Sequence, residues 1–394
     1  MERSRVEGDH ERPPDTAADP SPANPPASST AEVRPPGGAP LLVVVTGGSK
    51  GIGRSCVESF ANRGARVLFT YCSDATAAQD VAQSFRPVGR VQGRRLDQGD
   101  FDSVRAFAAE VDRWREGREI STVVNNAALG SATVSSYGGL PPPPPYSSAA
   151  AMGEWSGAED YESARRRADE DMAMMRVNSL GPMWVTEALL PMMMPPKVGD
   201  ASDKPAEAET PAAAPANGRE PAAGNSPVDE GPGRGGSAPA SPSVLRADKK
   251  RTVLFVGSVG GGSQSVFPGF RAADAMSKAA VAYACKYFAA QSRRQMNGAS
   301  AASGGVDFVC LCPGATLTDM FRRSTLDKME ARGPGELERF LNALPQGRLM
   351  LPEEVGEAVF WLCSSPAATM FHGAVIDASA GLAVRPGVLT EYSF

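Results

Sequence analysis

Asp274 and Lys278 stand four residues apart in a segment predicted to be helical, residues 272–291. Side chains four apart on a helix lie on the same face, so this carboxylate and ammonium have the geometry of a proton-transfer pair. Aspartates are ordinarily ionised at neutral pH, and a nearby ammonium favours the ionised form further. The pair is therefore suited to accepting a proton, as in alcohol oxidation or abstraction of a carbon-bound proton. The alternative is a helix salt bridge without chemical function.

A glycine-rich turn follows the first apolar strand and leads directly into a helix. Glycines let the backbone turn tightly and approach a pyrophosphate closely. The helix N-terminus adds free N–H groups and the positive end of the helix dipole. The turn consists of Thr46, Gly47, Gly48, Ser49, Lys50, Gly51, Ile52 and Gly53. By itself the pattern also fits an ordinary loop, so its meaning depends on the elements around it.

Apolar runs alternate with amphipathic segments along most of the chain. The predicted strands are 41–45, 66–70, 90–96, 121–124, 251–256, 306–311 and 374–377. The predicted helices are 54–63, 75–85, 101–115, 159–190, 272–291 and 352–363. Each parallel connection needs a crossover, so the alternation predicts an α/β fold with a doubly wound, Rossmann-type parallel sheet. Ligands of such sheets bind at the carboxyl ends of the strands.

Three stretches are too poor in large apolar side chains to join a core. Residues 1–39 are rich in Pro, Ala, Ser and Asp and are predicted to be a disordered tail. Low-complexity stretches at about 130–157 and 195–248 are predicted to be insertions in one domain, residues 40–394. The reason is that the segments flanking them continue a single alternating pattern.

The composition outside these stretches is that of an ordinary globular protein. The 394 residues carry a formal net charge of −5, which does not favour nucleic acid as a partner. No apolar stretch is long enough to span a bilayer, and the N-terminus lacks the apolar run of a signal peptide. The six cysteines form no CxxC pair and the chain has two histidines, so no metal site is predicted and a cytoplasmic protein with reduced thiols is expected. Cys310 and Cys312 are interpreted as facing opposite sides of their strand, without a joint role.

Short motifs in these elements, taken in order, resemble those of the short-chain dehydrogenase/reductase family. Its TGxxxGxG signature is matched by Thr46, Gly47, Gly51 and Gly53. Its NNAG motif is matched by Asn125, Asn126 and Ala127, with Ala128 in place of the glycine. Its later motifs are matched by Asp97, Asn178, Ser258, Lys278, Pro313, Gly314, Thr318, Gly347, Arg348 and residues 352–355. The resemblance covers about residues 41–385 apart from the two insertions.

The resemblance implies a nicotinamide cofactor. Contacts with it are expected from Thr46, Gly47, Ser49, Lys50, Gly51, Ile52, Gly53, Tyr71, Asp97, Asn125, Ala127, Lys278, Pro313, Gly314 and Thr318. Tyr71 stands where NAD-binding members of the family carry an acid, and Lys50 where NADP-preferring members carry a base that pairs with the 2′-phosphate. NADP is therefore favoured over NAD, with Asp74 as the nearest opposing charge. The alternative for Lys50 is a solvated surface lysine.

The resemblance also implies a catalytic tetrad. In the family, a tyrosine exchanges a proton with the substrate oxygen, and a lysine lowers the pKa of that tyrosine and holds the nicotinamide ribose. A serine orients the carbonyl, and an asparagine positions a water molecule. Asn178, Ser258 and Lys278 match three of these residues. Asp274 stands in place of the tyrosine, and as a carboxylate it has no proton to donate.

Other tyrosines on the same helix are poor replacements. Tyr283 is nine residues from Asp274 and Tyr287 is nine from Lys278. Nine residues turn a helix by about 180°, so both are expected to point away. A replacement borne by the first insertion stays conceivable, and its candidates are Tyr137, Tyr146 and Tyr161.

The sequence therefore predicts an NADP-dependent oxidoreductase that acts on a carbonyl/alcohol pair of a small-molecule substrate with an altered acid–base residue. A first alternative is a non-redox enzyme on the same fold that uses Asp274 as a base. A second is a nucleotide-binding sensor or scaffold that has lost turnover. Many members of the family form dimers or tetramers, which implies a homo-oligomer, although the insertions beside helix 159–190 leave the oligomeric state open.

Overall fold

The computed structural model describes residues 40–138, 140, 158–194, 250–263, 271–295 and 305–384, without the side chains of 158–160 and 293–295. Its strands are β1 (Leu42–Val45), β2 (Arg66–Tyr71), β3 (Val91–Arg95), β4 (Thr122–Asn125), β5 (Arg251–Val256), β6 (Val306–Pro313) and β7 (Val375–Ala378). Its helices are α1 (Gly51–Ala61), α2 (Ala75–Gln83), α3 (Phe101–Arg115), α4 (Ala158–Met175), α5 (Gly181–Met193), α6 (Ala272–Gln295), α7 (Asp319–Phe321), α8 (Asp327–Arg332), α9 (Glu336–Ala343) and α10 (Pro352–Ser364). The predicted tail and most of both predicted insertions lie outside the described residues.

The seven described strands form one parallel sheet in the order β3-β2-β1-β4-β5-β6-β7. The chain enters at the centre of the sheet, winds to one edge and then winds to the other. Val45 at the end of β1 pairs with Phe69 of β2 on one side and with Val124 of β4 on the other. The strand order reverses between β1 and β4, and a crevice forms at the carboxyl ends of strands at such a reversal. The predicted doubly wound sheet is confirmed.

The sheet is buried on both faces because alternate residues of each strand supply two separate cores. In β1, Leu42 and Val44 join one core, which α3, α5 and α6 complete. Val43 and Val45 join the other core, with α1, α2 and α10. Phe60 is fully buried in this second core, and burial of a side chain of this size stabilises the fold by about 1.5–3 kcal/mol.

The same alternation corrects the interpretation of two cysteines. Cys310 and Cys312 both join the core beneath α6, and their sulfur atoms are 3.9 Å apart. Residues two apart on a strand share a face. The prediction that these thiols face opposite sides is therefore wrong.

The single helix predicted over 159–190 is two helices joined by a π-helical turn, Arg176–Leu180. The wider turn carries Asn178 inward, where 1% of the residue is exposed. Gly181 then lets the chain pass close to the loop after β3, since a Cβ there would lie 2.7 Å from the carbonyl oxygen of Gln98. The interruption thus falls at the residue that the family resemblance singles out.

Candidate functional site

The glycine-rich turn forms a cradle between the end of β1 and the start of α1. Gly47 has a φ angle of +66°, which favours glycine. A Cβ on Gly53 would lie 2.1 Å from the carbonyl oxygen of Gly47. Lys50 caps α1 without a side-chain hydrogen bond, and the first turn of α1 contains no acidic residue. The first turn therefore presents N–H groups and an uncompensated positive dipole end to an anionic ligand.

Thr46 fixes the β4 end of this cradle. Its buried hydroxyl oxygen accepts hydrogen bonds of 3.0 Å from the N–H groups of Asn126 and Ala127. On the other side, Cγ2 of Thr318 lies 3.2 Å from the position of a Cβ on Gly51. Three segments that the resemblance assigns to the cofactor thus meet at the glycine-rich turn. Because single Cβ atoms would fill the cradle, its residues fit a dinucleotide whose pyrophosphate approaches the backbone closely.

Asn178 ties the loop after β4 to the first turns of α6. Its Oδ1 accepts a hydrogen bond of 2.7 Å from the N–H of Leu129, and its Nδ2 donates to the Leu129 carbonyl oxygen at 2.8 Å. The same Nδ2 donates to Oγ of Ser277 at 3.1 Å. The Ser277 hydroxyl in turn donates to the carbonyl oxygen of Asp274 at 2.7 Å. Asn178 therefore positions the part of α6 that carries Asp274 and Lys278.

Asp274 and Lys278 lie on the start of α6 but form no ion pair among the residues that the structure describes. Oδ2 of Asp274 accepts a hydrogen bond of 3.1 Å from the hydroxyl of Ser131, in the loop after β4. The Lys278 side chain is partly exposed, yet enough of it is enclosed for burial to lower its pKa, while the Asp274 carboxylate raises that pKa. The carboxylate of Asp274 therefore affects the pKa of Lys278 without a direct ion pair. The alternative of a simple helix salt bridge between them is not what the structure shows.

Ser258 follows β5 in a loop that packs on the start of α6. Its Oγ accepts a hydrogen bond of 3.2 Å from the N–H of Gly260. Gly261 has a φ angle of +82°, and a Cβ there would lie 2.0 Å from the carbonyl oxygen of Ala275. Ala275 follows Asp274 directly, so this backbone contact brings the Ser258 loop to the proton-transfer pair.

Gly261→Ala is expected to lower the free energy of unfolding by about 2 kcal/mol more than Gly64→Ala. Both glycines have a positive φ angle, +82° and +88° respectively, but a Cβ on Gly64 would have no neighbour within 4 Å. Gly64 therefore controls for backbone strain, and the difference reports the contact with α6. Urea unfolding of both variants measures it, and equal losses would contradict the contact.

The apolar side chain of Met320 lies beside the loop after β4. Sδ of Met320 lies 2.7 Å from the position of a Cβ on Gly130, the neighbour of Ser131. Met320 is 37% exposed and follows Thr318, which faces the cradle. The segment after β6 therefore places an apolar wall near Asp274.

Lys50, the predicted phosphate-binding base, forms an ion pair with a carboxylate of the same chain. Its Nζ lies 2.5 Å from Oδ2 of Asp74. Asp74 also caps α2 by accepting a hydrogen bond of 2.9 Å from the N–H of Ala77. The hydrogen bond from Lys50 lowers the pKa of Asp74. Lys50 is therefore neither a freely solvated lysine nor an uncompensated cation.

Asp97, which the resemblance implies as a cofactor contact at the adenine ring, accepts hydrogen bonds from Tyr137. The phenolic oxygen lies 2.7 and 2.9 Å from the two carboxylate oxygens. Tyr137 is thus committed to Asp97, which does not favour it as a replacement proton donor for Asp274. Tyr283 and Tyr287 are 72% and 47% exposed, so neither is packed inward toward the site.

The remaining predicted residues are distributed around the crevice. Asn125 turns its side-chain amide toward α5, where it donates to Oγ1 of Thr186 at 3.0 Å. The carbonyl oxygen of Pro313 accepts a hydrogen bond of 2.9 Å from the N–H of Val259. A Cβ on Gly314 would lie 2.7 Å from the carbonyl oxygen of Ser379. Tyr71, Ser49 and Ile52 are partly buried at the ends of β2 and the glycine turn.

Solved structures share the fold across most of the chain. The RhlG/NADP active-site complex of Pseudomonas aeruginosa superposes with a TM-score of 0.54 at 18% identity, covering 88% of this chain and 97% of that one. A structure of an actinorhodin polyketide ketoreductase variant with NADPH gives a TM-score of 0.55 at 19% identity, covering 87% of this chain and 97% of that one. Residues 41–139 match the family model described as short chain dehydrogenase. Residues 41–139 are thus similar in sequence to short-chain dehydrogenases, and the chain shares the fold of these solved structures.

Curated relatives match over about a quarter of the chain. Retinol dehydrogenase 12 of Mus musculus is 34% identical over 103 residues, which are 25% of this chain and 31% of that protein. The probable oxidoreductase EphD of Mycobacterium tuberculosis is 36% identical over 91 residues, which are 23% of this chain and 15% of that protein. The chain thus spans about a third or less of the length of these curated relatives.

Two further findings concern only the part of the chain that the structure describes. None of the helices there is both long enough and apolar enough to cross a bilayer. No group of three or more His, Cys, Asp or Glu side chains there could hold a metal ion.

Proposed function

We propose that the protein is an NADP(H)-dependent oxidoreductase that interconverts a carbonyl and an alcohol on a small-molecule substrate, with Asp274 as its acid–base residue. One observation carries the proposal. The glycine cradle faces Thr318, and the start of α6, fixed by Asn178, carries Asp274 and Lys278 at the same edge of the sheet. A dinucleotide cradle and a proton-transfer pair at one edge are what hydride transfer at a carbonyl carbon requires.

The cradle residues would hold the cofactor along this edge. The N–H groups at the start of α1 suit the pyrophosphate, and Asp97 suits the adenine ring. Lys278 would hold the nicotinamide ribose, and Thr318 would contact the carboxamide. When bound, the cofactor supplies or accepts the hydride.

Asp274 would act as the base in the oxidation of an alcohol. As a carboxylate it can accept the proton of an alcohol, and the hydroxyl of Ser131 orients one of its oxygen atoms. Ser258 would orient the substrate oxygen, and the ammonium of Lys278 would offset negative charge that develops there. Reduction of a carbonyl needs a protonated acid at this position, and few aspartates are protonated at neutral pH. We therefore infer that the oxidation of an alcohol is the reaction to assay first.

The proposal is tested first by nucleotide binding and then by turnover. Titration with NADPH and NADH, followed by nicotinamide fluorescence, is expected to show saturable binding with NADPH preferred. An alcohol screen with NADP is then expected to yield a substrate whose oxidation falls about hundredfold or more in Asp274→Ala. Failure to bind either nucleotide would overturn the proposal. Oxidation that survives Asp274→Ala unchanged would show that another group takes the proton.

A further inference from the structure

A cleft of about 330 Å³ opens where β2 and β3 end, at the edge of the sheet that also carries the glycine cradle. Its lining consists of Cys72, Ser73, Arg95, Asp97, Tyr137 and Gly138. Tyr71 and Arg95, the last residues of the two strands, pair in register. Parallel strands present their carboxyl ends at one edge, so the cleft lies on the same side of the sheet as the cradle.

Arg95 is the cation in this lining, and it has no carboxylate partner among the described residues. Its Nε donates to the carbonyl oxygen of Cys72 at 3.3 Å, which leaves most of its guanidinium donors for other acceptors. The neighbouring Arg94 is different, because its Nε lies 3.1 Å from Oε2 of Glu110. Lys50 is likewise paired, with Asp74.

The one carboxylate in the lining is engaged elsewhere. Asp97 accepts hydrogen bonds from the hydroxyl of Tyr137 at 2.7 and 2.9 Å and from the N–H of Gly99 at 2.9 Å. These donors hold it, and no ion pair joins it to Arg95 among the described residues. An exposed hydroxyl, that of Ser73, lines the same cleft.

A guanidinium and a hydroxyl beside the carboxylate that is predicted to meet the adenine ring fit a phosphate monoester carried on the adenosine ribose. Guanidinium binds phosphate through paired, charge-assisted hydrogen bonds, which gives it geometric selectivity that an ammonium lacks. We propose that Arg95 binds the 2′-phosphate of NADP(H) and that Arg95, not Lys50, sets the preference of this protein for the phosphorylated cofactor. This inference rests on the proposed function, because it assigns one part of the same cofactor site.

The test compares NADPH and NADH affinities in the full-length wild type and in the variants Arg95→Ala, Arg95→Lys and Arg94→Ala, by nicotinamide fluorescence. Arg95→Ala is expected to weaken NADPH binding about tenfold or more and to leave NADH binding within about twofold. Arg95→Lys keeps the charge and is expected to lose less. Arg94→Ala is the matched control on the same strand, and its NADPH affinity is expected to stay at the wild-type value.

Thiol labelling provides a second readout that does not depend on turnover. Cys72 lines the cleft and is the exposed one of the six cysteines. NADPH is expected to slow maleimide labelling of Cys72 in the wild type, and the same NADPH concentration is expected to protect it less in Arg95→Ala. Burial and the carboxylate of Asp97 raise the pKa of this thiol, so labelling is done at mildly alkaline pH.

The outcomes separate the two proposals. A wild type that binds neither nucleotide overturns the proposed function and the inference together. A wild type that binds NADPH, with Arg95→Ala binding it equally well or losing NADPH and NADH in proportion, overturns the inference alone. Retained NADH binding in Arg95→Ala also shows that this variant is folded.

Discussion

Asp274→Tyr is expected to raise the rate of ketone reduction with NADPH by about hundredfold or more at neutral pH. A positioned general acid contributes a factor of this size, and the phenol of a tyrosine supplies the proton that reduction requires. The start of α6 already has the support that such a residue needs, through Asn178 and Ser277. Lys278, four residues further on the same face, would lower the pKa of the new phenol.

The matched control for this variant is Asp274→Phe, which supplies the ring without the hydroxyl. Asp274→Tyr and Asp274→Phe both remove the carboxylate and its bond to Ser131, so their difference isolates the proton donor. Steady-state rates on a panel of ketones and aldehydes measure it. Equal reduction rates in the two variants would show that the proton reaches the substrate by a route that does not include residue 274. Reduction in Asp274→Tyr alone, with no alcohol oxidation in the wild type, would favour a chain that has lost turnover.

Asn178→Ala is expected to lower the free energy of unfolding by about 3–4 kcal/mol. The change removes three hydrogen bonds of a residue that is 1% exposed, and it leaves both backbone groups of Leu129 without their side-chain partner. An unpaired backbone group that stays buried costs about 1–3 kcal/mol. Turnover is expected to fall as well, because α6 then loses its link to the loop after β4.

Ser277→Ala is the control for Asn178→Ala. It removes the acceptor of one of the three bonds but leaves the two bonds to Leu129 intact. Its expected loss is about 1 kcal/mol, measured by urea unfolding under the same conditions. A loss in Asn178→Ala no larger than in Ser277→Ala would contradict the role assigned to the Leu129 bonds.

The sheet could be predicted from the sequence because its signal is local. Short apolar runs such as Leu42–Val45 alternate with amphipathic helices, and a sheet buried on both faces requires that pattern. The glycine cradle could also be predicted from the sequence, because Gly47 and Gly53 stand directly between a strand and a helix. The chain order of these motifs then carried the family resemblance.

The π-helical turn at Arg176–Leu180 could not be predicted from helical periodicity. The sequence pattern of residues 159–190 is that of a single helix, because one wide turn interrupts the helical backbone at one point only. Asn178 was found through the family motif, whereas its bonds to Leu129 and Ser277 join residues 49 and 99 positions away. Such pairings follow from tertiary geometry.

The pairing of charged side chains near the ends of β2 and β3 could not be predicted from the sequence either. Asp74 was recognised as an opposing charge for Lys50, but its 2.5 Å contact with Lys50 depends on how the glycine turn and the start of α2 approach each other. Arg95 carried no motif. The proposal for Arg95 depends on the observation that the neighbouring Lys50 and Arg94 are already paired with carboxylates. Such pairing is a property of the folded state.

The hydrogen bonds from Tyr137 to Asp97 span two halves of the sheet. Asp97 follows β3 at one edge, while Tyr137 belongs to the loop that leaves β4, on the other side of the strand reversal. A ligand that changes the free energy of these bonds changes the order of that loop, and a partner that holds the loop changes the affinity for the ligand by the same factor. Because Tyr137 and Asp97 both line the cleft at the ends of β2 and β3, binding of a ligand there is expected to change the order of the loop after β4.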